Sequence, residues 1–365
     1  MTALLEVDGL SIQFPAGDGG VAMAADRVDL RADEGATLGL VGESGCGKSV
    51  TALALLRLVP EPGRIVAGRI LFRGVDLMTL PEKEMRKYRG RQIALVFQEP
   101  AAALNPVLSV GYQIAEGLMV HGLMKKKEAM AEAARLMAQV RIPDAARRVR
   151  DYPHQMSGGM RQRVMIAMAL ACRPALIVAD EPTTALDVTL QAEILDLLRR
   201  LRDELGLSLL LISHNLGVIA EMADRVAVMY AGRIVEEAPV ADLFRAPAHP
   251  YTAGLLRSMP RPGATGRRLV AIEGNVPDLA RLPSGCAFHP RCADRLPECP
   301  AVTPAFLPLP VAATAGAVPA AAAVAAASVA GVPARRVACL LHHDANGQAR
   351  GAAERWPAPP GGAAS

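Results

Sequence analysis

The stretch "GESGCGKS", Gly42 to Ser49, is spelled for chemistry on phosphate. Gly42, Gly47, Lys48 and Ser49 satisfy the pattern G-x-x-x-x-G-K-S. Glycines let backbone N–H groups close around phosphate oxygens, and a helix N-terminus favours negative charge. Lysine reaches the β- and γ-phosphates, and the serine hydroxyl can ligate magnesium. Glu43, Ser44, Gly45 and Cys46 complete the loop, where backbone amides do the binding. A second group lies at the end of "ALIVADEP". Asp180 there is placed to hold magnesium through water, and Glu181 to orient or deprotonate a water attacking the terminal phosphate. A third apolar run, "LSLLLISH", delivers Ser213 and His214 to the same edge, where a sensor of the terminal phosphate would sit.

These groups need a particular frame. "LLEVDGLSIQF" alternates apolar and polar residues as a half-exposed strand does, and a second strand is expected near "VAMAADRVDL", giving an antiparallel opening. "TLGLV" reads as a buried strand before the loop, with a helix beginning near Lys48. "ALIVAD" has the form of a fully buried parallel strand with carboxylates at its C-terminal edge, where open α/β sheets collect their ligands. The expected class is α/β, a P-loop NTPase. Helical runs fill the region from about residue 100 to 165; in "KEAMAEAARLMAQV" the spacing of Met130, Ala134, Met137 and Gln139–Val140 predicts one buried stripe.

The chain has 365 residues, of which 51% are hydrophobic and 21% charged, enough for one large core or two modest ones. A net charge of +4 with no visible clustering argues against a nucleic-acid partner. The opening "MTALLEVDGLSIQF" has no basic segment followed by a long apolar one, so a cytosolic chain is expected. Residues Val311 to Ala334 are uncharged and long enough to span a bilayer. Most are alanine, with Gly316, Pro319 and Gly331 among them, so this is a low-complexity linker.

"YPHQMSGGMRQRVMIAMALACRP" places Ser157, Gly158 and Gly159 before a helical stretch, a second anion site in a chain that already has one. With this loop the sequence resembles the nucleotide-binding subunits of ABC transporters over roughly residues 4 to 260. The resemblance implies that ATP and Mg²⁺ are bound, with Ser49, Gln98 and Asp180 at the metal and Glu181, His214 and Gln98 in catalysis. The signature loop Ser157, Gly158, Gly159 and Met160 would complete the ATP site of an opposite subunit, and Asp187 of "TALD" would act across that interface. Met160 stands where the broad family has Gln, and Met is familiar in the peptide-importing branch. Phe14 is the nearest ring that could stack on adenine.

Beyond the cassette, residues 261–365 form an extension. "AHPYTAGLLRSMP" and "IEGNVPDLARLPSGCAFHPRC" resemble the C-terminal region of oligopeptide/dipeptide importer ATPases. That branch implies two permease subunits, an extracytoplasmic solute-binding protein, a related but different ATPase as dimer partner, and a place on the cytoplasmic face of the inner membrane. Cys286, Cys292 and Cys299 are separated by five and six residues, and Cys339 stands beyond a further 39. Four thiolates suit zinc or an iron–sulfur cluster, and the spacing alone does not choose; the resemblance leans to [4Fe-4S], with metal-free thiols, reduced or disulfide-linked, and Zn²⁺ the alternatives. His289, His342 and His343 are substitutes for the distant Cys339, while Cys46 and Cys172 read as structural. Importers of nickel chelates or glutathione, and ABC-type ATPases of translation or repair, are the other functional readings. One cassette and no sustained heptads weigh against translation and repair.

Overall fold

The computed structural model describes residues 3–17, 19–184, 186–259, 271–309 and 335–350. Strands Ala3–Pro15 and Val21–Asp33 pair antiparallel, and Arg64–Phe72 adds to the first of them, with the short Val75–Asp76 beyond, making a four-stranded sheet. The alternation in "LLEVDGLSIQF" is interrupted, because register shifts after Val7 turn successive residues inward.

The second sheet has eight strands. In spatial order they are Leu307–Pro308, Arg336–Val337, Arg233–Pro239, Arg225–Tyr230, Thr37–Val41, Ser208–Ser213, Leu176–Asp180 and Ile93–Val96. The last five run parallel. Thr37–Val41, Leu176–Asp180 and Ser208–Ser213 are buried along their whole length, as continuous apolar runs in a parallel sheet should be. Side chains alternate between two cores. Leu176, Val178, Leu210 and Ile212 face the N-terminal sheet, whereas Ile177, Ala179, Leu209 and Leu211 face the helices.

Between Ile93–Val96 and Leu176–Asp180 the chain is helical, including Val110–Val120, Lys126–Gln139 and Gly158–Leu170. The stripe expected on Lys126–Gln139 is displaced by one residue: Ala129, Ala133, Leu136, Met137 and then Val140 are buried, and Met130 and Ala134 only flank it. Ala129, Ala133, Leu136 and Val140 follow a closer 3.6-residue period than a stripe through Met130, because small alanines let the helix lie flat on Val110–Val120. Among the described residues no helix is long and apolar enough to cross a membrane.

The extension adds to the cassette's own sheet. Glu236 pairs with Val337 and Glu237 with Arg336, and Leu307–Pro308 lies outside them. Arg336 also reaches Asp29 of the N-terminal sheet at 3.3 Å and covers the Phe306 ring at 4.1 Å. The alanine-rich run 311–334 lies outside the described residues.

Candidate nucleotide site

Strand Thr37–Val41 runs into Gly42, and helix Lys48–Leu55 begins at the far end of the loop. The glycines between are required by space. A Cβ on Gly42 would collide with the Met229 carbonyl, and one on Gly47, at φ 109°, with the Ala24 carbonyl. Lys48 is buried, and its ammonium donates to the carbonyls of Gly42 at 2.9 Å and Glu43 at 3.0 Å, which fixes a positive charge inside the loop. Ser44 and Gly45 are exposed at the loop's crest, and Cys46 is packed beneath it, its thiol pushed up by burial.

Parallel register brings the other groups to this point. Glu181 follows Asp180, and its N–H donates to Ile212 O at 2.9 Å, which holds the residue at φ 46°, a left-handed conformation that costs a non-glycine residue energy. Three donors meet at one oxygen, Glu181 Oε2: Gln98 Nε2 at 3.1 Å, Thr184 Oγ1 at 2.8 Å and His214 Nδ1 at 3.1 Å. Burial alone would raise the Glu181 pKa, but the bonds from Thr184 and His214 and the nearby Lys48 charge outweigh it and hold the carboxyl below its ordinary value. Glu43, Lys48, Gln98, Glu181, Thr184 and His214 line one cavity. Thr184 is the member that sequence reasoning missed; its signal was its place three residues after Glu181 in "EPTTALD", within reach of the same carboxylate.

Asp180 is buried, and its Oδ1 has no hydrogen-bond partner. Burial raises its pKa, against which the Ser49 hydroxyl and Lys48 favour the ionised form. A buried, unpartnered carboxylate oxygen beside a serine hydroxyl is a donor set suited to a magnesium ion and its waters.

The remaining predicted residues lie elsewhere. Ser157 caps helix Gly158–Leu170, its hydroxyl accepting from Met160 N at 3.3 Å, and both Ser157 and Gly158 are exposed, outside the phosphate cavity of their own chain. Asp187 likewise caps Val188–Leu205 by accepting from Leu190 N at 2.9 Å. Phe14 is not brought to the cavity. Its ring lies over Gly63, where a Cβ would come within 2.5 Å of Cε1, and it packs, half-buried, against the core that includes the N-terminal sheet.

Cys286, Cys292, Cys299 and Cys339 line a single small cavity with His249 and His289. Burial pushes the Cys292 thiol up to about 12 and raises those of Cys286 and Cys339. The histidines of this region face backbone: His289 Nδ1 meets Cys286 O at 2.9 Å, His342 Nε2 meets Ala248 O at 2.8 Å and His343 Nε2 meets Pro308 O at 3.0 Å. Among the described residues no three His, Cys, Asp or Glu side chains converge on one ion.

Comparison with known proteins agrees with this geometry. The ABC transporter family matches residues 25–184, and the C-terminal region of oligopeptide/dipeptide transporters matches residues 235–299. A protein of Brucella melitensis biotype 1 named as a peptide import ATP-binding protein is 55% identical over 294 residues, covering 77% of this chain and 87% of its own. One of Brucella abortus with the same description is 52% identical over 296 residues, covering 81% and 89%. Among solved structures, a dimeric ATP-binding cassette in a post-hydrolysis state with ADP and Pi superposes with a TM-score of 0.57 at 27% identity, covering 65% of this chain and 98% of that one. A component of a Clostridium perfringens ABC transporter complex gives 0.57 at 25% identity, covering 67% and 92%. The chain belongs to the ATP-binding subunits of ABC transporters, in the branch that carries the oligopeptide/dipeptide transporter C-terminal region.

Proposed function

We propose that the chain is the ATP-hydrolysing, energy-coupling subunit of an importer of di- or oligopeptides, at the cytoplasmic face of the inner membrane. The observation that carries the catalytic part is the convergence of Gln98, Thr184 and His214 on one oxygen of Glu181. A carboxylate so held is ionised at neutral pH and can take a proton from water, while Gln98 and His214 orient it toward the phosphate that Lys48 and the loop amides bind. Asp180 and Ser49 would hold magnesium, which screens the triphosphate charge. Ser157 and Gly158 stand exposed at a helix N-terminus away from their own phosphate loop. That exposure supports a head-to-tail dimer in which each signature loop meets the partner's nucleotide. In this reading the partner is a related, different ATPase, and the pair drives two permease subunits fed by a solute-binding protein.

The four cysteines would carry a [4Fe-4S] cluster. What supports this is the resemblance of the extension to the peptide-importer branch and the place of all four residues around one small cavity. Held by these four residues, such a cluster would tie Cys339 to the segment carrying the other three.

The test is Glu181→Gln, assayed with the permease and binding protein in proteoliposomes. Turnover should be lost and an ATP-bound dimer should accumulate; normal hydrolysis would remove Glu181 from its role. Stimulation of the parent by peptides supports the solute class, and stimulation only by nickel chelates or glutathione would replace it. Failure to assemble with any permease would end the importer reading.

A further inference from the structure

The phosphate loop contains one acidic residue, Glu43, and it lines the cavity that also holds Lys48. A carboxylate there repels the triphosphate that the loop exists to bind. The chain answers from far along the sequence. Arg291, in the turn His289–Arg291 immediately before Cys292, grips Glu43 with both arms of its guanidinium, Nη1 to Oε2 at 2.7 Å and Nη2 to Oε1 at 3.0 Å. The Arg291 side chain is only 5% exposed. It is caged between the Tyr230 ring at 5.9 Å and the Phe288 ring at 6.0 Å, and its Nε donates to Glu273 O at 3.0 Å. A second tie lies alongside: the N–H of Glu43 donates to the buried Tyr251 hydroxyl at 2.9 Å, and Tyr251 packs on Phe288 at 5.4 Å. Both halves of the Glu43 residue, amide and carboxylate, are thus held from outside the loop.

We propose that Arg291 is a positioning residue of the nucleotide site: the C-terminal extension supplies the cation that neutralises Glu43, so that triphosphate affinity depends on the extension being docked. The geometry carries this for two reasons. The pair is bidentate and enclosed, the arrangement in which arginine fixes a carboxylate most firmly. It also joins two segments 248 positions apart, one of them the phosphate loop itself. An arginine needed only to fasten the extension has other acids to meet, and Arg335 and Arg336 already fasten it to the buried Glu236 and to Asp29.

The inference rests on nucleotide occupying the Gly42–Ser49 loop, and the experiment separates the two. A fluorescent ATP analogue is titrated into the full-length chain without magnesium, so that hydrolysis does not intervene; absence of binding by the parent would defeat the site reading itself. Arg291→Met should weaken affinity on the order of tenfold, since it leaves an unpaired charge near the phosphates. In a Glu43→Gln background the same arginine substitution should cost less than twofold. Arg291→Lys, which keeps the charge but not the fork, should cost about threefold in the native background, and it carries the comparison if Arg291→Met does not fold. In ATPase assays the loss should appear in KM more than in kcat. Equal losses in the native and Glu43→Gln backgrounds would reduce Arg291 to a fastening of the fold and overturn the proposal, as would unchanged affinity in Arg291→Met.

Discussion

Gln98 Nε2 donates to Glu181 Oε2 at 3.1 Å, and the two residues stand 83 positions apart. The same offset relates every pair of the strands behind them, from Ile93 with Leu176 to Val96 with Ala179. The contact is therefore the ladder's register continued past the edge of the sheet, and the two residues need no special loop to meet. Removing the amide should act on chemistry and leave binding alone. Gln98→Ala should lower kcat between about ten- and a hundredfold, the range for one hydrogen bond to an ionised group, with ATP affinity measured without magnesium within twofold of the parent. Steady-state kinetics beside equilibrium titration checks this, and a parental kcat would make the contact idle.

Thr184 sets the ionisation of the same carboxylate. Burial works to raise the Glu181 pKa, and the Thr184 and His214 bonds more than reverse it, leaving the folded value below the ordinary 4.5. The acid limb of the kcat profile should accordingly lie below that value. For a depressed carboxylate the stabilising contribution is present above the unfolded pKa and lost as pH falls through the folded one, so the site should loosen only in strong acid. Thr184→Val deletes the 2.8 Å bond and should shift the acid limb upward, whereas Thr184→Ser should restore it. A pH–rate series on the three proteins decides, and coincident limbs would remove Thr184 from the site.

Legibility in the sequence followed locality. The phosphate loop is contiguous, and each fixed residue has its own steric or electrostatic reason, so Gly42 to Ser49 could be read directly. Asp180, Glu181 and His214 were readable because fully buried parallel strands are unbroken apolar runs that end where ligands collect. Thr184 was not, since a threonine in a turn carries no period and its role depends on how the chain bends after Glu181. Phe14 could be named only as the nearest ring, since alternation along Ala3–Pro15 is broken by register shifts and does not tell where a ring lies; it is found over Gly63. Strands of two residues, Leu307–Pro308 and Arg336–Val337, are too short for any alternation, so their addition to the cassette's sheet was invisible.

Gly159 joins the signature loop to the segment bearing Asp187. A Cβ at Gly159 would stand 2.5 Å from Leu190 Cδ2 and 3.0 Å from Leu190 Cγ, and Leu190 N is the donor to Asp187 Oδ1 at 2.9 Å. Gly159→Ala should displace Leu190 and with it the cap of Val188–Leu205. The overpacking costs about 1–3 kcal/mol, offset by roughly 1 kcal/mol of helix propensity gained over glycine, so the melting temperature should move little. Turnover should fall steeply while nucleotide binding to the variant's own phosphate loop persists, because Gly159 lies outside that cavity. Calorimetry, nucleotide titration and ATPase assay on one preparation test this, and full turnover would show that the two segments move independently.

The cysteine cavity makes a sharper prediction about distance in sequence. Cys339 lies 40 positions after Cys299, yet both border the cavity that Cys286 and Cys292 share. If the four act as one ligand set, Cys339→Ser should deplete iron and sulfide from anaerobically purified protein as fully as Cys292→Ser does, and both should bleach its visible absorption. Cys46→Ser and Cys172→Ser should change neither, since Cys46 is packed under the phosphate loop and Cys172 follows helix Gly158–Leu170. Loss in Cys292→Ser with full content in Cys339→Ser would leave a three-cysteine site and remove the tie to the chain's end. Stoichiometric zinc without sulfide in the parent would replace the cluster with a single ion. A parent that holds neither metal and hydrolyses ATP at full rate would leave the four thiols to packing alone.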